Sequence, residues 1–217
     1  MRISAAALLF DNDGTLVSSL ASVRRCWTRW AGEYGVSAEA FARIELHGRP
    51  AVDIIGDLLP AERIPGALAR IDALEAADVA GGVTLLPGTA TLLAALPADR
   101  WAVVTSANRR VATARLAEVG IRPGQLVCAD DVRRGKPDPE PFLLAARRLG
   151  VDPARCVVFE DAPAGLAAGR AAGMRTVALT TTTPVDDLHA DAVIKDLSCV
   201  SVQVGADGLE LIVDERP

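Results

Sequence analysis

The chain predicts an α/β fold, a doubly wound parallel sheet carrying a small inserted helical domain, and three observations predict it. Ala5 to Phe10 is a short, wholly apolar run bounded by a turn, the pattern of a strand buried on both faces of a parallel sheet. Residues 17 to about 82 carry helical spacing and no convincing strand. From Leu86 onward helix and strand alternate regularly, as βαβ units wound into one sheet do.

The elements follow in order. After the first strand, Ser18 or Ser19 caps a helix running through Val23, Trp27 and Trp30 to Gly32, its apolar residues about one turn apart. A second helix runs from Ala38 to about Leu46 and ends at His47-Gly48-Arg49-Pro50. Helical pieces from Ala51 to Leu59 and from Pro65 to Val79 follow, and Gly81-Gly82 gives a flexible return. Pro87-Gly88 opens a helix to Leu96, Trp101 to Val104 is a strand, and Asn108 to Val119 is a helix stopped by Gly120. Leu126 to Ala129, Cys156 to Phe159 and Thr176 to Leu179 read as strands, alternating with helices over Pro139 to Leu149 and Ala164 to Gly173. Ala192 to Ile194 adds a further strand. Val200 to Val204 and Leu209 to Val213, joined through Ala206-Asp207-Gly208, read as a hairpin.

Composition narrows the function. A chain of 217 residues can bury a substantial core without staples. Half of it is apolar, but no run approaches the ~18 residues needed to cross a bilayer, so the expectation is a soluble, cytoplasmic protein without a membrane partner. The four cysteines, Cys26, Cys128, Cys156 and Cys199, are widely spaced and form no zinc pattern with the two histidines, so they are expected to be reduced packing residues. A net charge of −5 without a basic cluster argues against nucleic acid. Of the 23 basic residues only Lys136 and Lys195 are lysines, so a lysine here suggests a chemical requirement for a compact ammonium.

Polar groups recur at the strand ends. Asp11 and Asp13 follow the first strand, Thr105-Ser106 follow Trp101 to Val104, Glu160-Asp161 follow Cys156 to Phe159, and Lys136 lies in the loop after Leu126 to Ala129. In an open parallel sheet these carboxyl ends converge where ligands bind. Asp11, ionised at neutral pH, can attack a phosphoryl group without a base and form an aspartyl-phosphate. A magnesium ion held by Asp11, Asp161 and a backbone carbonyl, with Glu160 as a ligand or as the group orienting Asp161, offsets its repulsion of the phosphate. Metal ligands are thus sought among Asp11, Asp13, Glu160 and Asp161. Lys136 supplies a further positive charge, and Asp13 can protonate the leaving oxygen and later deprotonate water. Backbone N–H groups near Asn12, Asp13 and Ser106, with the Thr105 hydroxyl and the start of the helix at Asn108, can hold the phosphate oxygens.

Asp11-Asn12-Asp13-Gly14-Thr15-Leu16, Thr105-Ser106, Gly135-Lys136-Pro137 and Glu160-Asp161-Ala162-Pro163-Ala164-Gly165 resemble, in order, the four motifs of the haloacid dehalogenase superfamily. The resemblance implies a Rossmann-like core over residues 1–16 and 83–217, with residues 17–82 as the small helical cap of the sugar-phosphatase and β-phosphoglucomutase branch. Val17 to Trp30, His47-Gly48-Arg49, Leu74-Glu75 and Cys156 to Gly173 are similar to bacterial sugar and hexitol phosphatases and to fungal glycerol-phosphate and deoxyglucose-phosphate phosphatases. That likeness implies magnesium-dependent hydrolysis of small sugar or polyol phosphates, with a monomer as the default. His47 and Arg49 are the candidate substrate contacts from the cap, Glu75 is expected on a solvated face, and Trp27 and Trp30 are expected to pack the cap. Asn12 and Ser18 depart from the residues usual in this branch.

A phosphosugar mutase is the competing reading. Its pattern carries a cap histidine where this chain has Val23, which favours hydrolysis. A dehalogenase needs neither Asp13 nor a metal. A non-catalytic binding protein would be marked by loss of Asp11, Asp13, Lys136 or Asp161, and all four are present.

Overall fold

A computed structural model describes residues 1–44, 46, 49–205 and 208–215. The first apolar run is two strands rather than the one expected. Arg2–Ala5 (β1) alternates exposed and buried positions, as suits a sheet covered on one face, whereas every residue of Ala7–Phe10 (β2) is buried. Ala6 separates them, its N–H turned to the Arg155 carbonyl at 2.7 Å.

After β2 come Val17–Ser18 (β3), Leu20–Tyr34 (α1), Ala38–Ala42 (α2), Ala51–Leu58 (α3), Ile64–Ala77 (α4) and Thr84–Leu85 (β4). Then follow Thr89–Ala94 (α5), Trp101–Val104 (β5), Arg109–Glu118 (α6), Leu126–Val127 (β6), Glu140–Leu149 (α7), Cys156–Glu160 (β7), Pro163–Ala171 (α8), Arg175–Leu179 (β8) and Ala192–Ile194 (β9). Val200–Gly205 (β10) and Gly208–Val213 (β11) complete the chain's regular structure. α2 stops at Ala42, short of the expected Leu46, and closes on Arg43.

Six strands form one parallel sheet in the order β6-β5-β2-β7-β8-β9. β2 lies between β5 and β7, where the winding changes direction, so its carboxyl end opens at the crevice such sheets offer to ligands. Successive side chains go to opposite faces. Leu8, Phe10, Val103 and Phe159 pack on one face, and Leu9, Ala102, Val104 and Val158 pack with Phe142 on the other. The Phe10 and Phe159 rings stack at 5.0 Å. β10 and β11 pair antiparallel as expected, and β1 adds a third strand to that hairpin. The expected turn residues Ala206 and Asp207 lie outside the described residues.

The helices between β3 and β4 have a core of their own. Val23, Trp27 and Trp30 of α1, Ile54 and Ile55 of α3, and Ala67, Ile71 and Leu74 of α4 pack together without a residue from the six-stranded sheet. Trp30 donates its indole N–H to the Ala67 carbonyl at 2.9 Å, tying α1 to α4. β3 and β4 pair antiparallel, Val17 with Leu85 and Ser18 with Thr84, where the chain leaves and re-enters the core. β3 corrects the expectation that this region holds no strand, since two residues are too few to show a period. No described helix is long and apolar enough to cross a membrane. Cys26, Cys128 and Cys156 are free and buried, and Cys199 is free and half-buried.

Candidate active site

Asp11 follows β2 directly, and its N–H donates to the Phe159 carbonyl at 3.0 Å, which fixes its backbone against β7. Lys136 reaches it from the loop after β6 and is 2% exposed. The Lys136 ammonium donates to Asp11 Oδ1 at 2.7 Å, to the Val104 carbonyl at 2.9 Å and to Glu160 Oε1 at 2.6 Å. An ammonium has three donors, so all are used. Burial works against its charge, but Asp11 and Glu160 outweigh that and hold its pKa above the ordinary value. A guanidinium could not fill the same point contact between the two carboxylates.

Glu160 Oε2 accepts the N–H groups of Asp161 and Ala162, both at 3.0 Å. The close approach requires Gly165 on α8, where a Cβ would stand 1.7 Å from Glu160 Oε1. Asp161 accepts from the Thr15 hydroxyl at 3.1 Å and from the Thr182 hydroxyl. Gly14, at φ +97°, lets the loop after Asp11 pass Asp161, for a Cβ there would stand 2.2 Å from Asp161 Oδ2.

Oxygen atoms of Asp11, Glu160 and Asp161 lie within 4.8 Å of one another, and all three residues are buried. Burial raises the Asp11 carboxyl well above the usual carboxylate range; Lys136 opposes the rise, while Glu160, Asp161 and Asp13 add to it. Asp161 is pushed up to about 7 by burial and the charge of Glu160, against the pull of Thr182, Thr15 and Lys136. Three buried carboxylates faced by one ammonium leave an excess of negative charge, and an all-oxygen donor set fits a hard divalent cation such as Mg²⁺.

The carboxylate of Asp13 is not part of this group, which leaves its main-chain carbonyl as the atom through which Asp13 could join the metal ligands. The carboxylate is turned to other partners. Oδ1 accepts from Ser19 Oγ at 2.6 Å, and Oδ2 accepts from the Asn12 amide at 3.1 Å and is 3.0 Å from Arg115 Nη1. Ser19 sits at the cap position of α1 as expected but makes no cap bond: its backbone, at φ −123° and ψ 0°, is not in the extended conformation usual for a cap, and its hydroxyl donates to the Asp13 carboxylate. Asn12 is fully buried; its side-chain N–H serves Asp13, and its main-chain carbonyl closes the turn by accepting from the N–H groups of Leu16 and Val17.

Asp11 and Asp13 form the floor of a cavity of about 70 Å³. Thr105, Ser106 and Ala107 line it from the end of β5, next to α6, whose first turn is capped by Asn108. The Thr105 hydroxyl accepts from the Ala107 N–H at 3.1 Å. Trp27, Val23, Ile54, Glu75 and Arg49 face them from the helical insertion. Arg49 lines the cavity while paired with Asp57 at 2.8 Å; His47, the other expected contact, lies outside the described residues.

Glu75 corrects its sequence reading. Its side chain is 14% exposed, accepts the Trp27 indole N–H at 3.1 Å and stands 3.2 Å from Arg115 Nη2. Burial raises its carboxyl, Arg115 pulls it back and Asp13 adds to the rise. Arg115 and Thr182 were not singled out from the sequence. Signals existed for both: Arg115 shares the α6 face of Val111, Ala112 and Leu116, and Thr182 belongs to the polar run Thr180 to Thr183 after a strand.

The haloacid dehalogenase-like hydrolase family matches residues 5–173, and the chain belongs to that family. Hexitol phosphatase A of Escherichia coli (strain K12) is 37% identical over 207 residues, covering 92% of this chain and 95% of the relative. Glycerol-1-phosphate phosphohydrolase 2 of Saccharomyces cerevisiae is 33% identical over 235 residues, covering 99% and 93%. The solved structure of CbbY from Rhodobacter sphaeroides in complex with phosphate superimposes with a TM-score of 0.76 at 27% identity, covering 89% of this chain and 95% of that one.

Proposed function

We propose that this phosphoric monoester hydrolase is a Mg²⁺-dependent phosphatase of small sugar or polyol phosphates that works through an aspartyl-phosphate on Asp11. The observation that carries the reading is the buried Lys136 held between Asp11 and Glu160, beside Asp161 and beneath a cavity lined by Thr105 and Ser106. Relatives that act on hexitol and glycerol phosphates support the substrate class.

With Oδ1 held by Lys136, Asp11 Oδ2 attacks phosphorus; the P–O bond to the substrate's carbon skeleton breaks, and the leaving oxygen takes a proton from Asp13. Asp13 then accepts a proton from water as the water oxygen attacks phosphorus, and inorganic phosphate leaves as the Asp11 carboxylate is restored. Mg²⁺, held by Asp11 and Asp161, would neutralise phosphate charge. Glu160, with Oε2 on two backbone N–H groups and Oε1 on Lys136, positions Lys136 and shares the metal's charge field. Thr105, Ser106 and the N–H groups around Asn12 and Asp13 hold the remaining phosphate oxygens.

Residues 17–82 act as the cap and residues 1–16 and 83–217 as the catalytic core, with motion about β3 and β4 admitting substrate. Val23 lines the cavity where a mutase would carry its histidine, which supports transfer to water. Arg49, which lines the cavity, and His47 remain the proposed substrate contacts, and a cytoplasmic monomer is part of the same proposal. The test is phosphate release from a panel of sugar and polyol phosphates, with and without Mg²⁺, for wild type and Asp11→Asn. Mg²⁺-dependent release lost in the variant is expected. Release that persists in Asp11→Asn would overturn the covalent step, and conversion of glucose 1-phosphate to the 6-phosphate without release would establish the mutase.

A further inference from the structure

Arg115 is an expensive residue for its position. It occupies the apolar face of α6 with Val111, Ala112 and Leu116, is 3% exposed, and brings a permanent charge out of water. Two carboxylates from different regions compensate that charge, Asp13 from the core loop and Glu75 from α4 of the insertion. The hydrogen bonding is nevertheless incomplete. Nε and Nη2 are buried without an acceptor in hydrogen-bonding geometry, so the 3.2 Å approach of Nη2 to Glu75 Oε2 is an ion pair lacking an aligned bond. Glu75 itself is held by the Trp27 indole, and the apolar side chains of Val23 and Ile54 line the same cavity.

We infer that Arg115 and Glu75 form a hydroxyl-reading subsite that determines which phosphate esters the enzyme accepts. A hydroxyl group is both acceptor and donor, so one placed between the pair accepts from Nη2 and donates to Oε2, completing the geometry that the direct contact leaves unmade. Arg115 belongs to the core and Glu75 to the insertion, so movement of the insertion opens that gap. The cavity's present volume of about 70 Å³ requires such movement for anything larger than a few waters. Val23 and Ile54 meet the C–H faces of the same carbon skeleton, and Arg115 also touches Asp13, so the hydroxyl read is close to the ester carbon. A phosphate ester lacking that hydroxyl leaves a buried cation and carboxylate short of partners, which is how such a site discriminates.

This inference rests on the phosphatase reading, and one comparison separates the two. Phosphate release is measured from glycerol 1-phosphate and from n-propyl phosphate, which lacks the hydroxyls. Wild type is expected to prefer glycerol 1-phosphate by about ten- to hundredfold in kcat/KM, the range of a hydrogen bond to a charged partner. Glu75→Gln and Arg115→Lys are expected to reduce that ratio at least severalfold, and Trp27→Phe, which releases Glu75 while keeping an aromatic ring, to reduce it less. A ratio unchanged in Glu75→Gln and Trp27→Phe, with both esters slowed alike, would overturn the subsite and leave the pair as a latch between core and insertion. Failure of wild type to release phosphate from any ester would instead overturn the phosphatase reading itself, and the subsite with it.

Discussion

The two walls of the cavity are built in opposite ways. On the core side, charged groups stand at strand ends and are fixed by backbone partners: the Val104 carbonyl holds Lys136, and the N–H groups of Asp161 and Ala162 hold Glu160. On the insertion side, position comes from side-chain packing of Trp27, Trp30, Ile54 and Ile71, and the polar groups hang from that packing through single bonds. A wall fixed by backbone tolerates little change and suits chemistry that requires fixed distances. A wall fixed by packing can move as a body and be altered residue by residue, which suits selection among substrates.

Substitutions in the core should therefore abolish function, and those in the insertion should retune it. Asp11→Asn is expected to lower kcat on the order of 10⁴-fold while leaving the urea unfolding midpoint of the metal-free protein no lower than wild type. Loss of both would show that Asp11 is structural as well. Lys136→Met leaves Asp11 and Glu160 buried without their counter-charge, so it should lose about 3–5 kcal/mol of stability in urea, the cost of breaking a buried pair. Gly165→Ala drives a Cβ into Glu160 and should cost about 1–3 kcal/mol together with most of the turnover.

The insertion offers the contrast. Trp30→Phe removes the indole bond to Ala67 and should cost about 1–2 kcal/mol, yet turnover of p-nitrophenyl phosphate should stay close to wild type. A large loss of turnover there would break the division between the two walls. The smallest effect expected is one of pH. Asp161 titrates at about 7 when folded against an ordinary value of 3.8, so between those values the metal-free folded protein keeps a proton that the unfolded chain has released. The folded state binds more protons, and this group's contribution to stability falls as pH rises through that window. Without Mg²⁺, Tm should be lower at pH 7.5 than at pH 5.5 by a margin that shrinks in Asp161→Asn, and Mg²⁺ should raise Tm mainly at the higher pH.

Most of the core wall was legible in the sequence because its groups follow apolar strands at once, Asp11 after Phe10, Thr105 after Val104 and Glu160 after Phe159, while Lys136, in a loop, stood out as one of two lysines among 23 basic residues. Topology then had only to bring the ends together. What escaped depends on contacts across the chain. Arg115 reads as an ordinary helix residue until Asp13 and Glu75 are placed on either side of it. Ser19 is a good cap by type, but its backbone conformation departs from that of a cap and its hydroxyl is turned to the Asp13 carboxylate. Glu75 looked solvated because a single helix face does not reveal which neighbour will cover it. Ala5 to Phe10 read as one strand because a uniformly apolar run hides the turn at Ala6 that sends its halves into different sheets.

The central place of β2 also sets an order of assembly. Its hydrogen-bonded neighbours, β5 and β7, are made long after it, since Leu8 pairs with Trp101 on one side and Val157 on the other. Until both exist, an apolar strand ending in Asp11 has no ladder to join, and closing loops of that length slows folding and leaves the segment open to association. The helical insertion, whose core is drawn from residues 23 to 74, can consolidate earlier from contacts closer along the chain. The helical insertion is thereby ready before the strand that leads into Asp11 has found its place.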